Sequence, residues 1–342
     1  MTIRDVAKRA NVGIATVSRV LNGHPSVRPE TRARVLAAIE QLDYIPNTAA
    51  QNLSSGQTRS IGVFVPHFTR PSSIQRLIGI QEVLNDSDYD LLLFSTNSLE
   101  KYYVQLRQVV RQHRVDGVLV ISMAVPEEHR LLMERMDIPL VQIEVFSDYA
   151  SSVGVDNTLG GQLATEYLLA QGHEQIAFLG DVRESPFGFS ATNERFIGYR
   201  YALSEANLAM SDDYCSFSGI SDHHKEEAIR QAHDLLALSP PPTAIFAASD
   251  QQAAGVLEAA RQRALLVGDQ LSVIGFGDLD IAHYLNLTTI RQPLAEVGRT
   301  GANVLLQHLR GERSIYQKRF NDLEVIERGT VKPVPCDDST FF

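Results

Sequence analysis

Apolar residues recur at the spacing of an α-helix in three short segments near the start of the chain. The first segment follows Thr2, which forms a capping-box pattern with Asp5 three residues later, and it ends in a break at residues 10–13. The second stops at Asn22-Gly23, and the third begins at Pro29, a favoured first helical position. The apolar positions are Ile3, Val6, Ala7 and Ala10, then Ile14, Val17, Val20 and Leu21, then Val35, Leu36, Ile39 and Leu42. Three short helices that share one core predict a helix-turn-helix unit.

Beyond Arg59 the pattern changes to short apolar runs that alternate with amphipathic helices. This alternation is typical of a parallel, doubly wound α/β architecture, and about a dozen elements over roughly 270 residues indicate two sheets. Strands are predicted at residues 61–65, 91–94, 117–121, 140–143, 175–179, 243–247 and 271–275. Between the two parts, residues 47–53 could form barely two helical turns, which alone would be too short to be stable in water.

The charge is distributed unevenly along the chain. The formal net charge is -10, yet residues 1–58 carry seven Lys and Arg against four Asp and Glu, so this segment is +3 and the remainder is -13. A small basic module joined to a large acidic body indicates that only one end of the chain meets a polyanion.

The composition is that of a soluble globular protein, with 44% hydrophobic residues. No apolar run approaches the roughly 20 residues that span a bilayer, and the first ten residues lack the apolar region of a secretory signal. We therefore expect a cytoplasmic protein without a membrane partner. Its two cysteines, Cys215 and Cys336, are expected to be free thiols, although one disulfide stays possible.

Signals for catalysis, metal or cofactor are weak. The adjacent pair His223-His224 has no third ligand at helical spacing, and solvated histidines explain it better than a metal. Gly275 and Gly277 imitate a dinucleotide fingerprint, but Asp280 occupies the position of its third glycine. No nucleophile-elbow motif occurs. We expect no cofactor, no metal and no enzymatic activity.

Long stretches of the chain resemble the LacI/GalR family of repressors. The resemblance is carried by TIRDVAKRANVGIATVSRVLNG and VRPETRARVLAAIEQLDYIPNTAAQNL, and it continues through RSIGVFVP, RVDGVLV, VDNTLGGQLATEYLLAQGHEQIAFLG, RFIGYRYAL, PTAIFAASDQQAAGVLEAA, LSVIGFGD and LTTIRQP. It covers roughly residues 2 to 330. The resemblance implies an all-α helix-turn-helix headpiece plus an α/β, periplasmic-binding-protein-like effector domain of two lobes.

The family pattern also implies domain boundaries. A DNA-binding domain at 1–46 and a hinge helix with linker at 47–58 precede an effector-binding domain at 59–332 and a tail at 333–342. The N-lobe would comprise about 59–157 and 290–320, and the C-lobe about 158–289 and 321–332. Three crossovers between the lobes are expected near Asn157, Thr289 and Asn321.

In such a headpiece the second helix enters the major groove of DNA by its N-terminal end. Ile14, Ala15, Thr16, Ser18 and Arg19 then project toward the bases. Arg19 can make a bidentate contact with guanine, whereas Ile14 and Ala15 offer apolar contact to thymine methyls. The alternative that Ile14 packs in the core stays open. The family positions that hold phosphates are matched by Thr2, Thr16, Ser18, Asn22 and Tyr44.

The hinge also resembles that of the family. Asn47, Ala50 and Leu53 fall where paired hinge helices enter the minor groove, which implies that Leu53 wedges into a base step and kinks the DNA. The chain departs from the family at two helix starts: Gly13 and Arg28 stand where serine is usual. Glycine is still an acceptable N-cap, while Arg28 could add a phosphate contact.

The resemblance places a ligand between the lobes, where Arg195 and Asp250 would form a polar clamp for sugars or nucleobases. A surface salt bridge is the alternative for each. The other candidates for this site are His67, Phe68, Ser72, Ser73, Glu144, Asn193, Ile220 and Phe276, with Phe189 as a further lining residue. Ser72, Ser73 and Ile220 stand where relatives have aromatic rings, and Gly277 replaces a common acidic residue, so a standard aromatic sandwich is not expected.

Together these features predict a sequence-specific DNA-binding transcription regulator, most simply a repressor, that binds palindromic double-stranded operator DNA as a homodimer. The dimer interface is expected along the helix at residues 74–84, whose spacing is apolar. A small-molecule effector, a sugar or related metabolite, would modulate operator affinity. A solute-binding protein for transport shares the α/β body but would be supported by a signal peptide, and an enzyme of sugar metabolism would need a nucleophile or cofactor motif.

Overall fold

The computed structural model describes residues 1–21, 23–44, 57–219 and 225–334, and the chain divides into two compact units, Met1–Arg59 and Ser60–Phe342. Several residues of the sequence analysis lie outside the described ones, namely Asn22, Asn47, Ala50, Leu53, Ile220, His223, His224 and Cys336, with most of the predicted hinge and tail. Cys215 is a free thiol. None of the helices in the described ranges is long and apolar enough to pass through a bilayer.

The first unit contains the three predicted helices, α1 (Ile3–Ala10), α2 (Ile14–Leu21) and α3 (Pro29–Gln41). Its core is centred on Val6, Val17 and Val35, one from each helix, and all three are fully buried. At the start of α1 the Asp5 carboxylate accepts hydrogen bonds from the Thr2 backbone N–H at 2.8 Å and the Thr2 hydroxyl at 2.9 Å. The predicted capping box is therefore present, and it satisfies donors that a helix N-terminus otherwise leaves free.

One apolar position of α3 is exposed. Leu36 was predicted on the buried face, but 52% of its surface is exposed, whereas Ala38 is buried. The buried face runs through Val35, Ala38, Ile39 and Leu42 at the i, i+3, i+4, i+7 spacing of a helix. Leu36 is one residue, or about 100°, away from Val35 on that helix and so faces solvent.

The second unit contains two six-stranded sheets. The strands are β1 (Ser60–Val65), β2 (Asp90–Ser95), β3 (Gly117–Ile121), β4 (Leu140–Ile143), β5 (Ser151–Val155), β6 (Ile176–Gly180), β7 (Cys215–Phe217), β8 (Ala244–Ala247), β9 (Ser272–Gly277), β10 (Thr288–Arg291), β11 (Gln317–Phe320) and β12 (Glu324–Ile326). The first sheet has the order β11-β5-β4-β3-β1-β2 and is parallel throughout. The second has the order β12-β10-β9-β8-β6-β7, with only β12 antiparallel.

All seven predicted strands are present, with ends shifted by at most two residues. Periodicity missed β5, β7, β10, β11 and β12. Two of these strands carry polar pairs in the interior, Ser151-Ser152 in β5 and Thr288-Thr289 in β10, and all four side chains are buried. Strands with buried polar residues lack the apolar pattern, so hydrophobicity alone does not predict them.

Helices cover both faces of each sheet, as a parallel sheet requires. The helices of this unit are α4 (Pro71–Asn85), α5 (Leu99–Arg111), α6 (Glu127–Arg135), α7 (Asn157–Ala170), α8 (Ala191–Glu205), α9 (Lys225–Leu235), α10 (Asp250–Gln262), α11 (Asp280–Tyr284) and α12 (Leu294–Leu309). On the first sheet, α4 and α12 pack on the face that carries Ile61 and Val63, while α5 and α6 pack on the opposite face, around Phe64.

The chain passes between the two sheets three times: at Asp156 between β5 and α7, at residues 292–293 between β10 and α12, and at residues 321–323 between β11 and β12. The first and third passages lie where they were expected, near Asn157 and Asn321. The second lies after Thr289 rather than at it, because Thr289 pairs with Gly275 inside the second sheet. The first-lobe segment that was expected from residue 290 therefore starts after Arg291.

Two close helix crossings depend on glycine. In the first lobe, a Cβ at Gly298 of α12 would lie 2.0 Å from the backbone oxygen of Arg76 in α4. In the second lobe, a Cβ at Gly161 of α7 would lie 2.1 Å from the backbone oxygen of Arg195 in α8. Only glycine allows the two backbones to come this close. The helices that carry Arg76 and Arg195 therefore pack directly against a neighbouring helix.

Candidate functional site

The exposed face of α2 brings together the residues predicted to contact bases. Ile14, Ala15 and Arg19 are exposed, while Val17 and Val20 on the other side of the helix are buried. Ile14 is 46% exposed, so the alternative that it packs in the core of this unit is wrong. Thr16 and Ser18 are half-buried at the edges of the same face.

The start of α2 explains why glycine is accepted there. The Gly13 carbonyl accepts hydrogen bonds from the backbone N–H groups of Thr16 at 2.9 Å and Val17 at 3.2 Å. A Cβ added at Gly13 would meet nothing within 4 Å, so packing does not exclude the serine that is usual in the family. At the start of α3, Arg28 makes no side-chain cap hydrogen bond. Thr2 is exposed at the start of α1, and Tyr44 packs, half-buried, against the core of the unit.

A cavity of about 120 Å³ lies between the two lobes of the second unit. Six of the predicted ligand residues line it, namely His67, Ser72, Ser73, Glu144, Arg195 and Phe276, together with Phe189 and Gly277. The first lobe carries His67, Ser72, Ser73 and Glu144, and the second lobe carries Arg195 and Phe276. Its walls are charged as well as polar, which favours a ligand with several hydrogen-bonding groups.

Arg195 is the centre of the second-lobe wall. Its Nε and Nη2 donate to Asn157 Oδ1 at 2.9 and 2.8 Å, and its Nη1 donates to the Ala248 carbonyl at 2.5 Å. The guanidinium carbon lies 3.8 Å from the centroid of the Phe276 ring. Burial lowers the pKa of Arg195 to about 10, so the side chain is still charged at neutral pH. The guanidinium also covers one face of Phe276, which leaves that face unavailable for stacking on a ligand.

The first-lobe wall contains an ion pair that sequence reasoning missed. Arg76 donates to Glu144 Oε1 from Nη2 at 2.7 Å and from Nε at 3.1 Å, and both side chains are buried. Asn157 Nδ2 lies 3.4 Å from Glu144 Oε2 and 3.2 Å from Glu194 Oε2. Arg76, Glu144, Asn157 and Arg195 therefore form one hydrogen-bonded chain from the first lobe to the second. An arginine on the otherwise apolar face of α4 was the signal that could have revealed it.

Asp250 does not line the cavity. It is completely buried as the first residue of α10, and both carboxylate oxygens are used: Oδ1 accepts from the Thr289 hydroxyl at 2.5 Å and Oδ2 from the Leu279 backbone N–H at 2.8 Å. Burial raises the pKa of Asp250 to about 6. Ser249, one residue earlier, lines the cavity instead. The expected clamp of Arg195 with Asp250 is therefore not formed around this cavity, because Asp250 holds the loop before α11.

Two further candidates lie elsewhere. Asn193 is half-buried in the first turn of α8, where its backbone N–H donates to the capping hydroxyl of Ser190, and it does not line the cavity. Phe68 is 45% exposed and lines a shallow apolar groove on the outside of the first lobe. The other groove residues are Thr69, Ile74, Leu77, Ile78, Gln81, Leu91 and Leu93, from α4, β2 and the loop before α4.

Sequence reasoning also missed Arg70, Asp181 and Gln292, which all line the cavity. Burial raises the pKa of Asp181, and its carboxylate accepts a hydrogen bond from Thr192. Gln292 is buried directly after β10, and its Oε1 has no hydrogen-bond partner among the described residues. A buried acceptor without a partner is costly, so Gln292 is suited to a ligand hydroxyl or N–H. Asp181 and Gln292 follow the ends of β6 and β10, where ligands of α/β proteins commonly bind.

The comparisons with known proteins agree with both units. The model of the lacI family of bacterial regulatory proteins matches residues 2–47, and that of the periplasmic binding protein-like domain matches residues 165–331. The HTH-type transcriptional repressor PurR of Vibrio campbellii is 32% identical over 338 residues, 97% of this chain and 98% of that protein.

Several solved structures, including the following two, are similar over nearly the whole chain. One is the lac repressor dimer bound to operator and the anti-inducer ONPF, with 26% identity, a TM-score of 0.81 and coverage of 97% of this chain and 99% of that chain. The other is a complex of the transcriptional regulator CelR with cellobiose, with 27% identity, a TM-score of 0.71 and coverage of 96% and 99%.

Proposed function

The chain belongs to the LacI/GalR family of transcription regulators, and from this premise we propose which of its residues read DNA, pair two copies and bind the effector. It is a sequence-specific DNA-binding regulator whose operator affinity a small molecule modulates, and, like its relatives, it is not an enzyme. The observation that carries the proposal is the buried chain from Arg76 through Glu144 and Asn157 to Arg195, which joins the lobes beside the cavity.

For DNA, we assign base contacts to Ile14, Ala15 and Arg19 on the exposed face of α2, and phosphate contacts to Thr2, Thr16, Ser18, Asn22 and Tyr44. Arg19 carries the hydrogen-bonding readout, since Ile14 and Ala15 offer only apolar surface. Arg28 lacks a capping bond and is exposed, so it can contact a phosphate. Asn47, Ala50 and Leu53 are assigned to a hinge at residues 47–58 that enters the minor groove, with the headpiece at 1–46 before it.

For assembly, we assign the homodimer interface to the apolar groove of the first lobe. Phe68, Ile74, Ile78 and Leu93 are all between 40% and 45% exposed and lie side by side. A patch of this kind on the surface of a chain marks an interface. A two-fold axis through it would present two headpieces to two half-sites of a palindromic operator. We also propose a cytoplasmic location, because a regulator of this kind must reach its operator DNA.

For the effector, we propose a small polyhydroxylated molecule, a sugar or related metabolite, in the cavity between the lobes. Asp181 and Glu144 accept hydroxyl hydrogens, and Arg70 donates. Two structural facts argue against a flat aromatic ligand: Ser72 and Ser73 supply no ring, and Arg195 covers Phe276. The cavity of about 120 Å³ is smaller than the roughly 300 Å³ of ordinary ligand pockets, and we infer that the lobes separate to admit a sugar.

Lobe separation provides the coupling between the two sites. A ligand that separates Glu144 from Asn157 and Arg195 breaks the hydrogen-bonded chain between the lobes and thereby stabilises a different lobe angle. The hinge segments of a dimer would then change their spacing, which couples effector and operator by about 1 to 3 kcal/mol.

Two measurements on the purified protein test the proposal. Selection from random duplexes should yield an inverted repeat, with affinity that falls steeply as salt increases. A thermal-shift screen of sugars and related metabolites should then identify ligands that change operator affinity by about 5- to 150-fold. Absence of any sequence preference would contradict the DNA assignment. A ligand that binds between the lobes and leaves operator affinity unchanged would contradict the coupling.

A further inference from the structure

A second polar hollow lies on the outside of the first lobe, between α5 and α6. It has a volume of about 160 Å³ and is lined by Arg107, Arg111, Glu128, His129, Leu132 and Arg135. It shares no residue with the cavity between the lobes or with the apolar groove. Since α5 and α6 cover the face of the first sheet opposite α4, the hollow is also remote from the proposed dimer interface.

The hollow is positively charged although the protein is acidic. Arg107 pairs with Glu128 at 2.9 Å, and both side chains are exposed. Within residues 57–219 and 225–334, no carboxylate pairs with Arg111 or Arg135, and Arg135 makes only a bond from Nε to the Leu131 carbonyl of its own helix. The guanidinium groups of Arg111 and Arg135 are therefore available to a ligand, although the net charge of the chain is -10. Two guanidinium groups that line one hollow are suited to binding an oxyanion.

His129 supplies the second, independent observation. Only 2% of its surface is exposed, and its Nε2 lies 3.1 Å from the Tyr103 carbonyl oxygen. A carbonyl oxygen can only accept, so Nε2 carries a hydrogen, and in the tautomer that has its hydrogen there Nδ1 is an acceptor. Nδ1 has no hydrogen-bond partner among the described residues, and Glu128 Oε1, which lies 3.4 Å away, is itself an acceptor. The buried ring therefore lacks an O–H or N–H donor at the hollow.

We propose that this hollow is a second ligand site, which binds a small oxyanion that also carries an O–H group, such as hydrogenphosphate or a phosphorylated metabolite. The unprotonated oxygens accept from Arg111 and Arg135. The O–H group donates to Nδ1 of His129, which supplies the donor that this buried atom lacks. Arg107 remains paired with Glu128, and this pair forms the rim of the site.

The requirement for an O–H group makes the test specific. Phosphate carries an O–H group at neutral pH and sulfate does not. In calorimetric titrations of the full chain at constant ionic strength, we expect inorganic phosphate to bind at least tenfold more tightly than sulfate. Glycerol phosphate, titrated in parallel, separates the two sources of the ligand: tighter binding than inorganic phosphate assigns a phosphorylated metabolite, and weaker binding assigns free phosphate.

Matched charge variants locate the site. Arg111→Gln and Arg135→Gln change exposed residues, so we expect folded proteins whose phosphate affinity falls at least tenfold. Arg310→Gln removes an exposed charge from the same lobe outside the hollow and should leave phosphate binding unchanged. Equal binding of phosphate and sulfate would overturn the proposal. So would phosphate binding that survives both hollow variants, because it would then belong to the cavity between the lobes or to general screening.

Discussion

Asn157 and Arg195 are joined by two hydrogen bonds from one guanidinium edge to one amide oxygen, at 2.9 and 2.8 Å. Asn157 is the first residue of α7, directly after the chain passes out of the first sheet at Asp156, and its amide nitrogen faces Glu144 of that sheet's lobe. The pair therefore connects the second-lobe wall of the cavity to the first lobe. All three side chains are buried, but Asn157 and Arg195 both belong to the second lobe, so a movement of the lobes must break or rebuild the contact between Asn157 and Glu144.

Replacing Arg195 by Lys should separate ligand response from DNA binding. An ammonium cannot donate two parallel bonds to Asn157 and also reach the Ala248 carbonyl, so we expect about 2 kcal/mol less unfolding free energy. Operator affinity without ligand should stay within about twofold, since the headpiece is untouched. The response to a metabolite found by thermal shift should be lost. Denaturant unfolding and fluorescence anisotropy with labelled operator measure both effects.

Arg200→Lys is the matched control, because Arg200 lies on the same helix but is exposed. It should keep stability and ligand response. If Arg195→Lys responded to ligand as the parent protein does, Arg195 would have no part in the effector site.

Arg19→Ala should weaken and broaden operator recognition. Loss of a bidentate arginine contact to guanine costs about 1 to 3 kcal/mol and relaxes the preference at one position of each half-site. Selection from random duplexes, followed by anisotropy at fixed salt, measures both. Arg34→Ala removes the same charge from the exposed surface of α3 and should lower affinity evenly across sequences. An unchanged base preference in Arg19→Ala would show that Arg19 contacts only phosphates.

Ile78→Asp should disrupt the dimer. A carboxylate in the middle of the apolar groove would be buried against its own copy across a two-fold axis, and we expect the dissociation constant of the dimer to rise at least about 30-fold, or 2 kcal/mol. Sedimentation velocity measures the change, and operator affinity should fall with it because one headpiece binds alone. Leu131→Asp, at an equally exposed position of α6, should remain dimeric. A dimeric Ile78→Asp protein would place the interface elsewhere.

Asp250 should make the protein less stable as pH rises through 6. Burial raises its pKa from 3.8 to about 6, so the native state keeps a proton that the unfolded chain has released. The stabilising contribution is complete below pH 3.8 and is lost as pH rises through 6, with a total of about 3 kcal/mol. The difference in unfolding free energy between the parent protein and Asp250→Asn should therefore decrease between pH 4 and 7.

Asp280→Asn, at an exposed carboxylate near the same loop, provides the control for the substitution of a carboxylate by an amide. Parallel pH profiles for Asp250→Asn and the parent protein would mean that Asp250 ionises in the native state as it does in the unfolded chain.

Local patterns were enough for the headpiece and most of the strands. The capping box of Thr2 and Asp5, the start of α3 at Pro29 and the face of α2 depend on residues within one or two turns, so the sequence alone contains the information. Continuous apolar runs likewise marked strands such as β3, because every position of a strand between two helix layers is buried.

The ligand site needed the tertiary structure. Family resemblance named Arg195 and Glu144, but Arg76 meets Glu144 across 68 positions of the chain, and the orientation of Asp250 depends on Thr289, 39 positions away. The hollow between α5 and α6 is equally remote from any motif, since its charge and its unpartnered histidine nitrogen are visible only when the two helices are side by side. Sequence determined the elements because periodicity is local. Tertiary packing decided which polar side chains meet, because each buried donor or acceptor takes the partner that the fold brings within reach.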